Sequence, residues 1–394
     1  MPSLSPPSSP GTVSAPVSSF DALVVGGGLH GCAVALFLSR SGMRVALVER
    51  GGLCREASGT NAGTLTMQMT RAALIPYALE AHRMWAAAPQ WLGHHVGVTV
   101  CDGLSLAFTE REAGMLEERA QARHAAGAPI EIVGREAARR IEPGLSRWPI
   151  LASHCSIDGF ASAYLTGLAF RRALLEAGTR LFEHTPVTGA EAESGGYVVH
   201  TANRTALRAR RLVLAGGVWI EEMAGWLGIR LPVRALVNQL AVTERLPPVM
   251  RTVVGVASGL LSLKQFANGT AVIGGGWQAA GDRARGGDAL LPDRLVGNLR
   301  LACHAIPAFR AARLTRTWAG LEAETRDALP AVGPLPRHPG AFVCGSVHSG
   351  FTSGPWMAKL LADRILEREP AMPLFPPDRL IDEPAGEPLP GISS

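Results

Sequence analysis

The stretch "DALVVGGGLHGCAVALFLSRSGMRVALVERG", residues 21–51, places three consecutive glycines directly after an apolar run. Residues 22–25 predict a short strand buried on both faces. The pattern that begins at Leu29 predicts a helix ending at Gly42, and residues 44–49, "RVALVE", predict a second buried strand. Strand, helix and strand follow one another closely, so the stretch is interpreted as a βαβ unit.

The glycines of this unit have the spacing GxGxxG. Gly26 would make the tight turn, Gly28 would let the backbone approach a pyrophosphate, and Gly31 would let helix and strand pack closely. Glu49 ends the second strand, where a carboxylate can accept hydrogen bonds from ribose hydroxyls and disfavours the 2′-phosphate of NADP. The unit therefore predicts a dinucleotide site, and the alternative is a glycine turn that serves packing alone.

Length and composition limit the remaining classes. A chain of 394 residues with 47% apolar and 18% charged residues is long enough for about two globular domains. The net charge is +5, but no run of five basic residues occurs, so no nucleic-acid partner is expected. Six cysteines without a CxxC spacing predict reduced thiols in a cytoplasmic protein and no metal site. Residues 22–38 are apolar, but His30 and the glycines interrupt them, so no membrane span is expected.

Several further motifs carry a resemblance to a known family. They are "VVGGGLHG" with "VALVERG", "EASGTNAG" (56–63), "LVLAGGVW" (212–219), "RTWAGLEAETRDALPAVGP" (316–334) and "FVCGSVHSGFTSGP" (342–355). In this order the motifs resemble the D-amino-acid oxidase superfamily of FAD-dependent amine oxidoreductases. The resemblance runs from about residue 21 to about residue 368, and it is nearest the flavin subunits of opine, hydroxyproline and cyanide-forming glycine dehydrogenases.

The resemblance implies an α/β fold in which a GxGxxG Rossmann-like FAD-binding domain is interleaved with an α+β mixed-sheet substrate domain. The expected FAD-binding segments are 20–85, 151–222 and 319–370, and the expected substrate-domain segments are 86–150 and 223–318. Residues 1–19 are rich in Pro and Ser and are expected to form a disordered arm. Residues 371–394 are expected to form a C-terminal tail.

The resemblance also implies the cofactor, FAD, and a set of residues that would bind it. The expected cofactor-binding residues are Gly26, Gly28, Leu29, His30, Gly31, Glu49, Arg50, Ser58, Gly59, Asn61, Ala62, Val187, Ala215, Gly216, Trp219, Gly320, Gly350, Phe351 and Thr352. A helix begun by "SGP", residues 353–355, is expected to point its N-terminus at the flavin carbonyl region, where negative charge collects on reduction.

The expected catalytic residues are Glu322, His348 and Gly350. Glu322 stands where simple amino-acid oxidases of the family have an arginine that clamps the substrate carboxylate, and a carboxylate cannot make that clamp. One interpretation pairs Glu322 with a cationic part of a larger substrate, such as the guanidinium of an opine, while His348 contacts a carboxylate. In the other interpretation, Glu322 points outward or forms an ion pair with Arg326, and His348 is a residue of the pocket wall.

Five further positions bear on the chemistry or on the core. Gly320 stands at the place of the family's covalent-flavin cysteine, so a non-covalent FAD is expected. Val272 stands at the place of the family's oxygen-activating lysine, which favours a dehydrogenase over an oxidase. Lys264 would either face the pocket from a sheet strand or be a solvated strand lysine, and the second is expected. Trp219 and Trp318 are more often core residues than stacking partners.

The sequence therefore predicts an FAD-dependent dehydrogenase that oxidises the C–N bond of an amino acid, imino acid or opine-like secondary amine by hydride transfer to flavin N5. The expected partners are the small-molecule amine and an electron acceptor, for which further dehydrogenase subunits are a candidate. Three alternatives stay open. They are an oxidase of small D-amino acids, glycine or sarcosine that uses dioxygen, a flavin-bound assembly or electron-relay subunit, and a flavin domain that modifies an RNA base.

Overall fold

The computed structural model describes residues 19–345 and 350–381. Its strands are β1 (Ser19–Val25), β2 (Val45–Val48), β3 (Thr64–Leu65), β4 (Thr99–Val100), β5 (Gly103–Ala107), β6 (Ile130–Gly134), β7 (Leu151–Cys155), β8 (Gly159–Phe160), β9 (Arg180–Phe182), β10 (Val187–Glu193), β11 (Gly196–Thr201), β12 (Ala206–Leu214), β13 (Arg234–Thr243), β14 (Val253–Val256), β15 (Ser262–Gln265), β16 (Ala271–Gly274), β17 (Ala280–Asp282), β18 (Gly286–Ala289), β19 (Leu314–Glu324), β20 (Ala331–Pro334) and β21 (Ala341–Gly345). Its helices are α1 (Leu29–Arg40), α2 (Ala57–Thr60), α3 (Ile75–Ala86), α4 (Ala88–Trp91), α5 (Glu110–Ala125), α6 (Arg135–Ile141), α7 (Ala163–Glu176), α8 (Ile220–Gly225), α9 (Pro292–Ala305), α10 (Gly350–Ile365) and α11 (Asp378–Ile381).

The first sheet is built around the βαβ unit that the sequence predicts. β1 lies parallel between β2 and β12, and the strand order is β10-β11-β12-β1-β2-β9, with β21 beside β12 and β20 beside β21. Residues 22–25 and all of β2 are buried, which explains their continuous apolar runs. Because β1, β2 and β12 are parallel, Val25, Val48 and Leu214 end at the same edge of the sheet. Ligands of open α/β sheets bind at such an edge.

One face of this sheet is covered by three helices that the chain brings together from distant segments. α1 packs against α10 and α7, and α10 also packs against α3. Leu36, Phe170 and Leu361 belong to one buried cluster and represent α1, α7 and α10 in it. Packing of these helices removes apolar surface from water, and the resulting stabilisation keeps the ends of β1, β2 and β12 in fixed positions.

The second sheet has the order β19-β13-β16-β15-β14-β5-β7-β6 and is mostly antiparallel. β13 and β19 form its longest pairing, in which Arg234 lies opposite Glu324 and Asn238 lies opposite Gly320. One face packs on α9 through a buried cluster that includes Leu263. β7 and β19 belong to this sheet, although residues 151–155 and 319–324 were expected in the FAD-binding segments. Antiparallel pairing of β7 with β5 and β6, and of β19 with β13, accounts for the difference.

The helix expected to begin near Pro355 begins earlier. α10 spans Gly350–Ile365, so Pro355 lies inside it. A proline cannot donate to the carbonyl four residues before it, which here belongs to Phe351. The indole Nε1 of Trp85 lies 3.2 Å from that oxygen and 3.0 Å from the carbonyl oxygen of Thr352, and it donates to both. A side chain from α3 thus satisfies the acceptor that proline leaves open.

The segments at the chain ends are described in part. Residues 1–18 of the expected arm and His348 lie outside the described residues. Of the expected C-terminal tail, α11 packs back on the molecule, and Arg379 Nε donates to Asp327 at 2.7 Å. Between residues 19 and 345 and between 350 and 381, no helix is long and apolar enough to cross a bilayer.

Candidate functional site

A large cavity, here called the central cavity, lies between the two sheets. Its volume is about 1230 Å³, above the roughly 300–1,000 Å³ of ordinary small-molecule sites. Its wall includes the turns that follow β1, β2 and β12, the 56–62 segment, the start of α10, and parts of β13, β15 and β19. The space is sufficient for a dinucleotide together with a second small molecule.

The glycine turn is packed too closely for side chains at two of its three positions. Gly26 has φ +107°, and a Cβ there would lie 2.4 Å from the carbonyl oxygen of Ala215. A Cβ on Gly31 would lie 1.9 Å from the carbonyl oxygen of Gly26. A Cβ on Gly28 would find only Ser58 Oγ, at 3.4 Å, and Gly28 lines the central cavity. Two glycines therefore hold the turn closed, and Gly28 keeps the surface above it open.

The N-terminus of α1 faces the cavity, and no acidic side chain lies in its first turn. Gly28 is its N-cap and provides no side-chain cap. The Leu29 N–H donates to Ser58 Oγ at 2.9 Å. His30 Nε2 is buried without a partner among the described residues, and burial lowers the pKa of His30 to about 4. Backbone donors, a helix dipole and an unpaired imidazole nitrogen fit the phosphates and polar edge of the expected FAD.

Glu49 is held at the edge of the cavity by backbone groups. Its Oε2 accepts from Gly27 N at 2.7 Å and its Oε1 accepts from Gly51 N at 2.8 Å. An ionised carboxylate has about four acceptor positions, so two remain after these bonds. Next to it, the guanidinium carbon of Arg50 lies 3.6 Å from the ring centroid of Trp219, and both residues line the cavity.

The 56–63 segment is held in place by its own side chains and by β19. Asn61 Nδ2 donates to the carbonyl oxygens of Ala57 and Ser58, and its Oδ1 accepts from Gly63 N at 2.6 Å. Trp318 Nε1 donates to the carbonyl oxygen of Thr60 at 2.7 Å. The hydrogen bonds of Asn61 and Trp318 thus fix the shape of this segment against the second sheet.

Most of the residues expected to bind the cofactor lie in the wall of the central cavity. Those that line it are Gly26, Gly28, Leu29, His30, Glu49, Arg50, Ser58, Asn61, Ala62, Val187, Ala215, Gly216, Trp219, Gly320, Gly350, Phe351 and Thr352. Gly31 and Gly59 do not line it, and each instead packs against a backbone carbonyl. Of the expected catalytic residues, Glu322 and Gly350 line the cavity, and His348 lies outside the described residues.

Glu322 belongs to a chain of directed hydrogen bonds on β13 and β19. The Val237 N–H donates to Gln278 Oε1 at 2.9 Å, and Gln278 Nε2 donates to Asn238 Oδ1 at 2.7 Å. These bonds turn Asn238 Nδ2 toward Glu322 Oε2, at 2.7 Å. Glu322 therefore faces the cavity rather than the outside, and its position is set by amide groups.

Arg234 is a residue of the cavity wall that the sequence reasoning missed. It donates to Glu324, whose other oxygen lies 3.6 Å from the Arg71 guanidinium. Arg234 Nε is buried and has no hydrogen-bond partner among the described residues. Arg71 does not line the cavity, whereas Arg234 does. Only the pairing of β13 with β19 brings Arg234 beside the acids, so no local sequence signal indicates it.

One buried ionisable group was missed, and the burial of a second differs from the expectation. Asp158 accepts from Thr66 Oγ1 at 2.6 Å and from Met67 N at 2.7 Å, and burial raises its pKa to about 6. Lys264, expected to be solvated, is fully buried in β15, and its expected exposure is wrong. Its side chain contacts Thr64 of β3, which pairs with β8 in a small three-stranded sheet, so contact of this small sheet with the second sheet helps to remove Lys264 from water.

Comparison with known proteins agrees with this arrangement. The family model described as DAO, FAD dependent oxidoreductase, matches residues 21–364. Glycine oxidase of Geobacillus kaustophilus is 28% identical over 368 residues, which cover 91% of this chain and 96% of that protein. An opine oxidase subunit of Rhizobium meliloti is 25% identical over 359 residues, which cover 88% of this chain and 93% of that protein. The crystal structure of glycine oxidase from Geobacillus kaustophilus matches with a TM-score of 0.81 at 26% identity, covering 91% of this chain and 97% of that one. The chain therefore belongs to the DAO family and is an FAD-dependent amine or amino-acid oxidoreductase.

Proposed function

We propose that the protein is a dehydrogenase for opine-like secondary amines, in which a cationic group of the substrate lies against Glu322. The observation that carries this proposal is the orientation of Glu322 by Asn238 and Gln278 in the cavity wall. A fixed carboxylate beside a cavity attracts an ammonium or guanidinium group and repels a free carboxylate. A small amino acid held only by its carboxylate would find no clamp at this position.

Arg234 would bind the substrate carboxylate. A buried N–H without a partner costs roughly 1–3 kcal/mol, and a carboxylate placed against Arg234 Nε would remove that cost. Arg71 remains beside Glu324, so Arg234 can turn toward a ligand without leaving this acid unpaired. Glu322 and Arg234 would then hold the two charged ends of a zwitterionic amine, and this orients its α-carbon.

Bound FAD supplies the acceptor for the hydride of the α-carbon. The residues that would hold it are those of the glycine turn, Glu49 at the ribose, the 58–62 segment and Gly350–Thr352. The protein's own part is to position the amine, to exclude water between the two sheets, and to fix the charges at Glu322 and Arg234.

The electrons are proposed to pass to a further protein subunit rather than to dioxygen. The resemblance implies that Val272 replaces a lysine that favours reaction with oxygen, and the relative from Rhizobium meliloti is named as a subunit of an opine oxidase. The FAD is proposed to be non-covalent, because Gly320 offers no thiol and a Cβ there would lie 2.1 Å from Thr60 Oγ1.

The test is anaerobic mixing of the purified yellow protein with opines, glycine, sarcosine and proline. We expect opines to bleach the flavin absorbance under nitrogen, and we expect little hydrogen peroxide when air is admitted without another acceptor. Bleaching by glycine or proline but not by opines would reject the substrate proposal. Stoichiometric peroxide would identify an oxidase, and bleaching by no amine would favour an electron-relay subunit.

A further inference from the structure

Lysine is rare in this chain, and one of its two lysines is buried. Of 38 Lys and Arg residues, only Lys264 and Lys359 are lysines. Lys359 is partly exposed on α10 and pairs with Asp363 one turn later, as a surface lysine commonly does. Lys264 has no exposed surface. An arginine cannot lose its proton in a protein, but a lysine can, so the two cations differ in what they can do when buried.

Lys264 is joined to the central cavity by two hydroxyl groups. Its Nζ donates to Thr64 Oγ1 and lies 3.0 Å from Ser262 Oγ. The two hydroxyl oxygens lie 3.0 Å from each other, so the three atoms form a closed triangle. Thr64 and Ser262 line the cavity, whereas Lys264 lies behind them. A proton can therefore move between the cavity wall and Nζ along hydrogen bonds that already exist.

The charge of Lys264 has no carboxylate beside it in the described part of the chain. Within residues 19–345 and 350–381, no Asp or Glu oxygen lies within 4.0 Å of its Nζ, the distance that defines an ion pair. Cys101, which follows β4, would raise the proton affinity of Lys264 if its thiol were ionised. Burial raises the pKa of the Cys101 thiol to about 12, so the thiol is uncharged at neutral pH. Asp158 bonds to Thr66 and Met67 on the segment that continues β3. Burial without a counter-ion lowers the pKa of Lys264 to about 7.

The place of the triangle connects it with the cofactor. Thr64 directly follows the 56–63 segment, and its carbonyl oxygen accepts from Thr352 Oγ1 at 3.2 Å. Thr352 belongs to the start of α10, which lines the cavity with Gly350 and Phe351. The lysine therefore lies behind the wall formed by the segments that would hold the flavin, where added negative charge acts through a medium of low dielectric constant.

We propose that Lys264 is a proton-holding residue of the central cavity: above neutral pH it is uncharged while the flavin is oxidised, and it takes up a proton through the Thr64 and Ser262 hydroxyls when hydride transfer leaves negative charge in the cavity. In the enzymatic step the substrate ammonium gives its proton to a hydroxyl, whose own proton passes to the electron pair of Nζ. The hydrogen of the α-carbon would leave with both electrons of its C–H bond to FAD, and the lone pair of the amine nitrogen forms the C=N bond. One positive charge then lies on the protonated imine and one on the Lys264 ammonium, and the single negative charge of the reduced cofactor offsets one of them, so the net charge of +1 that the substrate ammonium brought is unchanged.

The first test reads the lysine directly and requires no substrate. Protein labelled with ¹³C at lysine Cε gives signals from two residues, and Lys359→Arg leaves Lys264 alone. In oxidised holoprotein we expect its shift to titrate with a midpoint near neutral pH. After reduction by dithionite under nitrogen we expect proton affinity to rise about tenfold or more, which moves the midpoint up by about one pH unit. An identical titration in both states, or no titration between about pH 5 and pH 9, would overturn the proposal.

The second test measures the midpoint potential of bound FAD against pH in Lys264→Met, with Lys359→Met as the matched control. Methionine is unbranched and one heavy atom shorter than lysine, so it fills most of the same buried space and cannot hold a proton. Between the two midpoints of the first test, wild type and the Lys359 variant should take up about half a proton more on reduction than the Lys264 variant. For a two-electron couple, that difference steepens the slope of their midpoint potential against pH by about 15 mV per pH unit. Equal slopes would refute the proton-holding role. Because dithionite and dyes supply the electrons, failure of the opine proposal leaves both tests intact.

Discussion

Gly28 and Gly31 lie three residues apart in one turn, yet alanine should have different effects at the two positions. In Gly31→Ala the new Cβ would meet the Gly26 carbonyl oxygen at 1.9 Å, and neither backbone group can move without opening the turn. Gly28 has φ −70°, which any residue adopts, and its nearest neighbour would be Ser58 Oγ at 3.4 Å. We expect Gly31→Ala to lower the melting temperature of the apoprotein and Gly28→Ala to leave it almost unchanged.

The same pair of variants tests where the pyrophosphate lies. A methyl group on Gly28 would occupy the open surface above the turn, so we expect FAD affinity in Gly28→Ala to fall by about tenfold or more, about 1.4 kcal/mol. Fluorescence titration of the apoprotein with FAD measures this loss. If Gly28→Ala bound FAD as tightly as the wild type, the diphosphate would not lie against this turn.

Arg234 and Arg71 provide a matched comparison for substrate binding. Both guanidinium groups lie beside Glu324, but only Arg234 lines the central cavity. Loss of a hydrogen bond to a charged group costs roughly 1.5–3 kcal/mol, so Arg234→Met should raise the KM for a carboxylate-bearing amine about tenfold or more. Arg71→Met removes the second cation beside Glu324 and so holds Arg234 more firmly to this acid, which should raise the KM by a smaller factor, about twofold to fivefold. Steady-state kinetics with an artificial electron acceptor compare the two. Equal effects would mean that both arginines act through Glu324 and that Arg234 does not contact the substrate.

At the scale of elements, Asp158 links the turn after β7 to the segment that continues β3. Its folded pKa of about 6 lies above the ordinary value of 3.8, so ionising it costs more in the folded protein than in the unfolded chain. The stability that the protonated acid contributes is therefore present at low pH and is lost as the pH rises from about 4 through about 6. The difference between the two pKa values corresponds to about 3 kcal/mol.

Comparison with Asp158→Asn isolates this effect, because asparagine keeps the size of the side chain and does not titrate. Any hydrogen bond to Thr66 or Met67 that the variant loses shifts its free energy of unfolding by the same amount at every pH. We expect the stability of the wild type relative to the variant to fall by about 3 kcal/mol between pH 4 and pH 7 in urea unfolding. A pH-independent difference would show that the carboxyl group is not held protonated by burial.

The helices and strands that could be predicted are those whose sequence patterns lie within one short stretch of the chain. β1, α1 and β2 follow directly from a buried run, a glycine turn and a glycine stop within residues 21–51, and the predicted fold class and FAD cofactor are confirmed. The start of α10 could not be predicted from Pro355, since the donor that compensates the proline comes from Trp85, 266 residues away from Phe351. The burial of Lys264 likewise depends on Thr64, which is 200 residues distant in the sequence.

The candidate site shows the same division between local and distant information. Residues of the glycine turn and of the 58–62 segment were expected in the wall, because each motif is a short contiguous piece. Arg234, Asn238 and Gln278 were missed, because strand pairing and a β-bridge, rather than any motif, place them around Glu322. The rarity of lysine in the chain was a visible signal for Lys264, but burial was needed to give it meaning.

At the scale of the whole molecule, the central cavity is shared by both sheets, so its ligand should stabilise both. The first sheet contributes the turns after β1, β2 and β12, and the second contributes β13 and β19. A ligand that binds only the folded state adds RT ln(1 + [L]/Kd), about 2.7 kcal/mol at a free concentration 100 times its Kd. FAD removal should therefore lower the melting temperature by several degrees, and FAD addition should restore it.

Hydrogen exchange with two ligands shows whether this stabilisation reaches both sheets. ADP carries the phosphates and adenosine but not the flavin, so it should protect the backbone amides of residues 26–31 and leave residues 320–322 unchanged. FAD should protect both sets if it extends, as proposed, from the glycine turn to the part of the cavity wall formed by β19 and Gly350–Thr352. β6 lines no part of the central cavity and serves as the internal control. Protection of 26–31 alone by FAD would mean that the flavin does not reach the second sheet, and Glu322 and Arg234 would then lie too far from it to position a substrate for hydride transfer.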